Sequence, residues 1–155
     1  MEALSYEAET QGVTAQALYA AMLKERVSPA LRSLGLAGSG GGYSLKSESH
    51  WALIGFQKPA YSDRNEVRFT VNLLVVSRAD WASLSAERSS NRARPAAGRY
   101  YGPRVANQRL GALVGSHEDK WWRVYAGQDM DLVASEVIGD LANFGLPWLQ
   151  TRIST

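Results

Sequence analysis

The sequence predicts an α+β fold, a single antiparallel sheet of about five strands packed by N-terminal and C-terminal helices. Three observations predict it. Apolar residues of helical period follow Thr14, a second such pattern precedes Gly145, and several extended segments joined by short turns lie between them. Consecutive strands with short connections favour antiparallel pairing, and two amphipathic helices need a sheet face to cover.

The N-terminal helix is predicted to begin after Thr14, a suitable N-cap, and to end at Gly35, which can adopt the left-handed conformation. Its apolar positions are Leu18, Met22, Val27, Leu31 and Leu34. Pro29 lacks an N–H and clashes with the preceding turn, so we expect a kink there or a new helix capped by Ser28. The glycine-rich tract Gly38–Gly42 is predicted to be a turn.

Strands are predicted at Tyr43–Ser47, at His50–Lys58 and, most clearly, at Glu66–Val76. The last segment alternates strictly up to Leu74. Its apolar face carries Val67, Phe69, Val71, Leu73 and Val75, and its polar face carries Arg68, Thr70 and Asn72. Because this strand begins half polar and ends fully apolar, we expect it to be central in the sheet.

A short helix is predicted around Asp80–Glu87, because Ser77 and Asp80 resemble a capping box. Two further extended segments, Arg109–Val114 and Lys120–Tyr125, are predicted on either side of a polar turn.

The last helix is predicted to begin at Asp129 or Asp131. Its apolar stripe is Val133, Val137, Leu141 and Phe144. We expect it to end at Gly145, because Pro147 should prevent its continuation.

The length of 155 residues suits one domain. We expect a flexible lead-in at 1–12, a single α+β domain at 13–150 and a C-terminal tail at 151–155. A mobile arginine-rich loop is predicted at 86–99.

The composition excludes several classes of function. There is no cysteine, so disulfides, thiolate nucleophiles and cysteine-ligated zinc are excluded. The N-terminal residues lack the basic and apolar regions of a secretory signal, and no run approaches the ~20 apolar residues of a membrane span. We therefore expect a cytoplasmic protein without a membrane partner.

Four segments in a fixed order carry a resemblance to a known family. They are LIGFQKPAYSD at Leu53–Asp63, EVRFTVNLLVVS at Glu66–Ser77, QRLGAL at Gln108–Leu113 and DKWWRV at Asp119–Val124. With the later pair Leu146–Pro147, this set resembles the bacterial family called domain of unknown function 4304. The resemblance runs from about Thr14 to Trp148. It implies a compact stand-alone domain without an assigned activity, and so it supplies no catalytic residues.

The residues themselves also predict no catalytic site, cofactor or metal. The only two histidines are His50 and His117, and His117 lies beside Glu118 and Asp119 in one turn. Adjacent turn residues rarely all face one ion, so we interpret this as a polar turn. The glycine tract lacks the GK[ST] ending of a phosphate loop, and no GxSxG serine is present.

The leading hypothesis is a small binding or interaction module for an unknown protein or small-molecule partner. An immunity- or antitoxin-like role is an analogy only. The candidate residues combine the polar strand face with nearby amide, guanidinium and indole groups, which suit a carboxylate, phosphate or peptide backbone. They are Gln57, Arg68, Thr70, Asn72, Arg109, Trp121 and Trp122. The alternative is a plain solvent-facing sheet surface.

The segment around the two adjacent tryptophans also permits a purely structural interpretation. Neighbouring side chains of a strand face opposite sides, so one tryptophan is expected in the core and the other outside it. Arg109 and Asp119 flank the same turn and are positioned to pair across it.

A second hypothesis is nucleic-acid binding through the arginine-rich 88–104 loop, since arginines contact phosphates and aromatic rings stack on bases. The candidates are Arg88, Arg92, Arg94, Arg99, Tyr100 and Tyr101. A solvated arginine-bearing loop is the alternative for this segment. A third hypothesis is an enzyme of unfamiliar type or an accessory protein of a biosynthetic cluster.

Overall fold

The computed structural model describes residues 13–59, 63–88, 92–115 and 119–154. In chain order, the elements of these residues are α1 (Ala15–Met22), a π-helical turn (Leu23–Val27), α2 (Ser28–Ser33), β1 (Leu36–Ser39), β2 (Gly42–Leu45), β3 (His50–Gln57), β4 (Glu66–Ser77), α3 (Arg78–Glu87), β5 (Ala106–Arg109), α4 (Leu110–Leu113), β6 (Trp122–Tyr125), α5 (Met130–Asp140), a second π-helical turn (Leu141–Gly145) and α6 (Leu146–Ile153).

The strands form one antiparallel sheet in the order β1-β2-β3-β4-β5, with β6 also paired to β4. The described sheet therefore has six strands, and the predicted α+β class is confirmed. β4 is central, as its sequence predicts. It pairs along one edge with β3 and along the other with both β5 and β6.

The glycine-rich tract is a β-hairpin, and β1 was not predicted. Ser39 pairs with Gly42 in the register, which leaves Gly40 and Gly41 as a two-residue turn. Both have positive φ, 65° and 92°, as a type I′ hairpin turn requires. The predicted turn is therefore correct in place but too long, because glycine also occupies strand positions such as Gly38.

Both prolines expected to interrupt helices are instead accommodated by a wider turn. Pro29 and Pro147 each lie two residues after a π-helical turn, and the helix continues beyond both. Ser28 N–H bonds to the carbonyl of Leu23, five residues earlier. This change of pitch lets the chain pass a residue that lacks an N–H. Ser28 does not cap a helix, because its hydroxyl is 2.7 Å from that of Tyr43.

The prediction that the last helix ends at Gly145 is therefore wrong, and the predicted tail at 151–155 continues the helix to Ile153. Gly145 has helical φ and ψ of −69° and −53°. A Cβ on it would lie 3.3 Å from Leu110 Cδ1. The glycine is thus a close-packing position and not a helix terminator.

The main core lies between the sheet and the N- and C-terminal helices. Phe69 of β4 is at its centre, with ring centroids 5.2 Å from Tyr19, 5.6 Å from Phe56 and 5.6 Å from Trp122. The alternation of β4 directs its apolar side chains into this layer, so the face assigned from the sequence is confirmed.

A smaller core covers part of the opposite face of the sheet. Leu53, Leu74 and Val76 pack there against Trp81 and Leu84 of α3. The predicted cap of α3 is confirmed, since Ser77 Oγ accepts a hydrogen bond of 3.0 Å from Asp80 N–H.

Within the described ranges, none of the helices has both the length and the apolar character that crossing a membrane requires.

Candidate functional site

The edge of β4 that faces away from β3 is divided between two partner strands. β5 pairs with residues 72–75 and β6 with residues 66–69. Thr70 lies at the junction, and its side chain donates a 2.8 Å hydrogen bond to the carbonyl of Lys120. The hydroxyl therefore connects β4 to the segment that leads into β6.

The segment after β5 returns to this junction through a very close contact. The stretch predicted to be extended at Arg109–Val114 instead forms the single helical turn α4. A Cβ on Gly111 of this turn would lie 2.4 Å from Lys120 Cβ and 2.6 Å from its backbone nitrogen. QRLGAL and DKWWRV, two of the segments that carry the family resemblance, thus pack against each other here. A side chain at position 111 would prevent this contact.

Lys120 also links the junction to α5. Its ammonium group contacts the carboxylate of Glu136 and lies 3.4 Å from Asp140 Oδ2. Desolvation by burial is the largest single effect on the pKa of Lys120 and lowers it. The hydrogen bond to Glu136 and the charges of both carboxylates together exceed that effect and raise the pKa.

Arg109 and Asp119 pair across the turn, as the sequence predicts. Arg109 Nη1 donates to Asp119 Oδ1 and Oδ2 at 3.2 and 3.0 Å. The same carboxylate accepts from Trp121 Nε1 at 3.3 Å, and the guanidinium lies 5.4 Å from the Trp121 ring centroid. Trp122 is 3% exposed and belongs to the core, whereas Trp121 is half-buried. The predicted division of the two tryptophans is confirmed.

The predicted polar face of β4 is not one open patch. Thr70 is fully buried and Asn72 is 7% exposed. Arg68 is exposed and lies 3.7 Å from Glu66. The expectation of a joint surface is therefore wrong, because other segments of the chain cover the middle of this face.

The cover over Asn72 is the end of the predicted arginine-rich loop, around Ala97 and Gly98. Asn72 Nδ2 donates a 2.7 Å hydrogen bond to Gln57 Oε1. A Cβ on Gly98 would lie 3.2 Å from Asn72 Nδ2, and one on Gly55 would lie 2.9 Å from the Cβ of Ala97. Because Gly98 of the covering segment and Gly55 of β3 have no side chains, this segment can lie directly on the sheet.

A cleft of about 460 Å³ opens between this segment, β4, β5 and α4. We call it the edge cleft. Its lining residues are Asn72, Leu73, Ala97, Gly98, Arg99, Tyr100, Asn107, Gln108, Arg109, Ala112 and Asp119. It brings together Asn72 and Arg109 from the leading hypothesis with Arg99 and Tyr100 from the nucleic-acid hypothesis.

The edge cleft also contains two residues that the sequence did not single out, Asn107 and Gln108. Asn107 Nδ2 donates a 3.1 Å hydrogen bond to the carbonyl of Arg99. Its Oδ1 is buried without a hydrogen-bond partner among the described residues. The sequence signals for these residues were two adjacent amides directly before the extended segment predicted at Arg109–Val114, and the place of Gln108 in the QRLGAL segment.

The structure divides the residues of the nucleic-acid hypothesis, because Arg88, Arg99, Tyr100 and Tyr101 line one cleft whereas Arg94 lines another. The guanidinium carbon of Arg94 lies 5.5 Å from the centroid of the Trp51 ring, and that of Arg78 lies 4.0 Å from the same centroid. Tyr101 packs edge-on against Trp81 at 4.7 Å, so its ring contributes to the smaller core. Tyr100, in contrast, is 75% exposed. Residues 86 and 87 of the predicted loop belong to α3.

Among the described residues, the histidine and the acidic side chains form no metal-binding cluster. Within the part of the chain that the structure describes, no three His, Asp or Glu side chains come together to hold a metal ion. His50 Nδ1 lies 2.7 Å from Ser49 Oγ. His117 and Glu118 lie outside the described residues.

Fold and cleft together define an α+β protein with one antiparallel sheet, helices at both termini and a polar cleft at the divided edge of its central strand. The family model described as domain of unknown function (DUF4304) matches residues 27–151. The chain belongs to this family. Comparison with curated proteins found no significant match, and neither did comparison with solved structures.

Proposed function

We propose that this protein is a binding module that holds a small polar ligand with an anionic group in the edge cleft. One observation carries the proposal: Asn72, Arg99 and Arg109 come from three separate parts of the chain and line one cleft. Its volume of about 460 Å³ falls in the range of small-molecule sites.

The charges of the cleft favour an anion. Two guanidinium groups, those of Arg99 and Arg109, face one carboxylate, that of Asp119. Within the described ranges, Arg99 has no carboxylate within 4 Å, and its guanidinium lies 5.5 Å from the Tyr101 ring. Arg109 uses Nη1 for Asp119 and retains further N–H groups. Guanidinium groups bind carboxylate and phosphate through paired hydrogen bonds.

The site is also held in place by its surroundings. Asp119 and the Trp121 ring orient Arg109, while Asn107 holds the backbone of Arg99. Such support reduces the entropy lost when a ligand binds. An acidic side chain or a carboxyl terminus of a partner protein offers the same chemistry as a free anion, and in that case the protein acts as an interaction module.

Nuclear magnetic resonance titration of ¹⁵N-labelled protein tests the proposal. The probes are acetate, succinate, a sugar phosphate, a nucleoside monophosphate and a short peptide with a free carboxyl terminus. At least one is expected to shift the backbone signals of Gly98, Asn107 and Arg109 in a saturable manner.

Arg109→Gln should weaken that binding about tenfold, since it removes a charge-assisted pair of donors. Arg26→Gln is the matched control, because Arg26 is an exposed arginine that pairs with Asp131 of α5. Absence of saturable shifts with every probe, or equal binding by both variants, would contradict the proposal.

A further inference from the structure

A second cleft adjoins the edge cleft and shares two of its residues, Arg99 and Tyr100. We call it the arginine cleft, and its volume is about 330 Å³. It is lined by Leu84, Glu87, Arg88, Arg99, Tyr100, Tyr101, Gly102, Pro103 and Arg104. Arg99 and Tyr100 thus form the wall between the two clefts.

The arginine cleft has an excess of positive charge. Three guanidinium groups, of Arg88, Arg99 and Arg104, face the single carboxylate of Glu87. Arg104 donates to both oxygens of that carboxylate, at 3.2 and 2.7 Å. In the described part of the chain, Arg88 and Arg99 have no carboxylate within 4 Å. Two cations therefore remain available to an incoming anion.

Glu87 itself carries a full negative charge at neutral pH. The hydrogen bond from Arg104 lowers its pKa, a smaller effect of burial opposes this, and the charges of Arg104 and Arg88 lower it further. Glu87 thus competes with any bound anion for Arg104. Its removal should strengthen anion binding.

The wall between the clefts is fixed on both of its sides. Tyr101 packs against Trp81, and its hydroxyl accepts a 3.0 Å hydrogen bond from Ala96 N–H. Arg99 N–H donates to the Ala96 carbonyl at 3.1 Å, and the Arg99 carbonyl accepts from Asn107 at 3.1 Å. These bonds hold the backbone of Arg99 and Tyr100 at the boundary between the two clefts.

Building on the function proposed for the edge cleft, we propose that the ligand spans both clefts and is a nucleoside monophosphate. Its phosphate is held by Arg99, the guanidinium that the two clefts share, together with Arg88 on the side of the arginine cleft, and its base stacks on the Tyr100 ring. The polar edge of the base then meets the side chains of Asn107, Gln108 and Arg109 in the edge cleft.

The chemistry of each part suits this ligand. A phosphate monoester carries a charge of about −1.5 to −2 at neutral pH, which two unpaired arginines can neutralise. Planar guanidinium groups bind phosphate oxygens in pairs. An exposed aromatic ring is a stacking platform for any base, and amides read the edge of a base.

Isothermal titration calorimetry with adenosine monophosphate, cytidine monophosphate, adenosine and inorganic phosphate tests the inference. At least one monophosphate should bind at least tenfold more tightly than adenosine or inorganic phosphate. Arg88→Gln should weaken its binding about tenfold, with Arg26→Gln unchanged as control. Glu87→Gln should tighten binding about threefold, a gain that a purely structural role of the Glu87–Arg104 pair would not produce.

The outcomes separate the two proposals. If Arg109→Gln weakens ligand binding while Arg88→Gln and Glu87→Gln change nothing, the edge cleft binds its ligand and the spanning ligand is refuted. If inorganic phosphate binds as tightly as the monophosphates, the base contributes nothing and the inference also fails. Tighter binding of an oligonucleotide without terminal phosphates would replace it with nucleic-acid recognition.

Discussion

Gly111 and Lys120 meet so closely that the structure leaves no room for a side chain on the glycine. A Cβ at position 111 would lie 2.4 Å from Lys120 Cβ and 2.6 Å from its backbone nitrogen. This contact sets where the chain returns from α4 towards β6, and so it also places Asp119 opposite Arg109. The geometry of the edge cleft depends on it.

Gly111→Ala should therefore destabilise the protein. Overpacking of this kind costs about 1–3 kcal/mol, more than the ~1 kcal/mol that alanine gains over glycine in a helix. Gly139→Ala is the control, because Gly139 lies in α5 and a Cβ there meets nothing within 4 Å. Urea denaturation should show a loss of stability for the first variant and a small gain for the second. Equal changes of stability in the two variants would mean that the backbone around Lys120 shifts at little cost, and would contradict the close contact.

Thr70→Val should remove the hydrogen bond across the divided edge of β4 with little change of shape. The expected cost is about 1–2 kcal/mol, since the Lys120 carbonyl loses its partner in a partly buried place. Thr151→Val, on an exposed part of α6, should change stability by less than about 0.5 kcal/mol. Amide exchange of β6 should also accelerate in Thr70→Val, and unchanged exchange there would argue against a linking role.

The ion pairs of Lys120 should show in the alkaline pH dependence of stability. The pKa of Lys120 is higher in the folded protein than in the unfolded chain, where it is about 10.4. Its ion pairs therefore contribute their full stabilisation below that value, and the contribution is lost as the pH rises through the pKa of the folded protein. The stability difference between the native protein and Glu136→Gln should therefore be constant near pH 8 and shrink above about pH 10.5. Burial also raises the pKa of Tyr19, but this affects both proteins alike. A constant difference up to pH 12 would contradict the pairing.

The two adjacent tryptophans should differ sharply in their contribution to stability. Trp122→Ala removes a ring stacked on Phe69 and should cost about 3–5 kcal/mol. Trp121→Ala removes a half-buried ring and should cost about 1 kcal/mol, while it weakens ligand binding because Arg109 loses its support. Thermal unfolding and the nuclear magnetic resonance titration measure these two effects. Similar losses of stability would contradict the assignment of the rings.

Much of the fold could be predicted from local sequence. The alternation of Glu66–Val76 predicted the central strand and the face that carries Phe69, because side chains of a strand point to opposite sides in turn. Thr14 and Ser77 marked two helix starts through their capping hydroxyls, both of which accept the expected backbone hydrogen bond. The pairing of Arg109 with Asp119 was likewise predicted from two charges beside one turn.

Local rules failed where distant residues decide the conformation. Gly145 and Pro147 indicate a helix end by themselves, yet a π-helical turn and the packing of Gly145 against Leu110 let the helix continue. Gly111 gave no sign of its close contact with Lys120, nine residues away. In a sequence, a glycine usually indicates a turn. At Gly111, however, the packing against Lys120 requires a residue without a side chain.

The sequence by itself determined the class of fold, the central strand, the family and the absence of cysteine chemistry. Only the tertiary structure decided that the polar face of β4 is mostly covered, that Trp122 is the buried tryptophan, and that Arg99 and Arg109 line one cleft. The physical reason is that a cleft is made by segments far apart in the chain. Their approach depends on packing contacts, such as those of Gly98 with Asn72 and of Gly111 with Lys120, which no local pattern encodes.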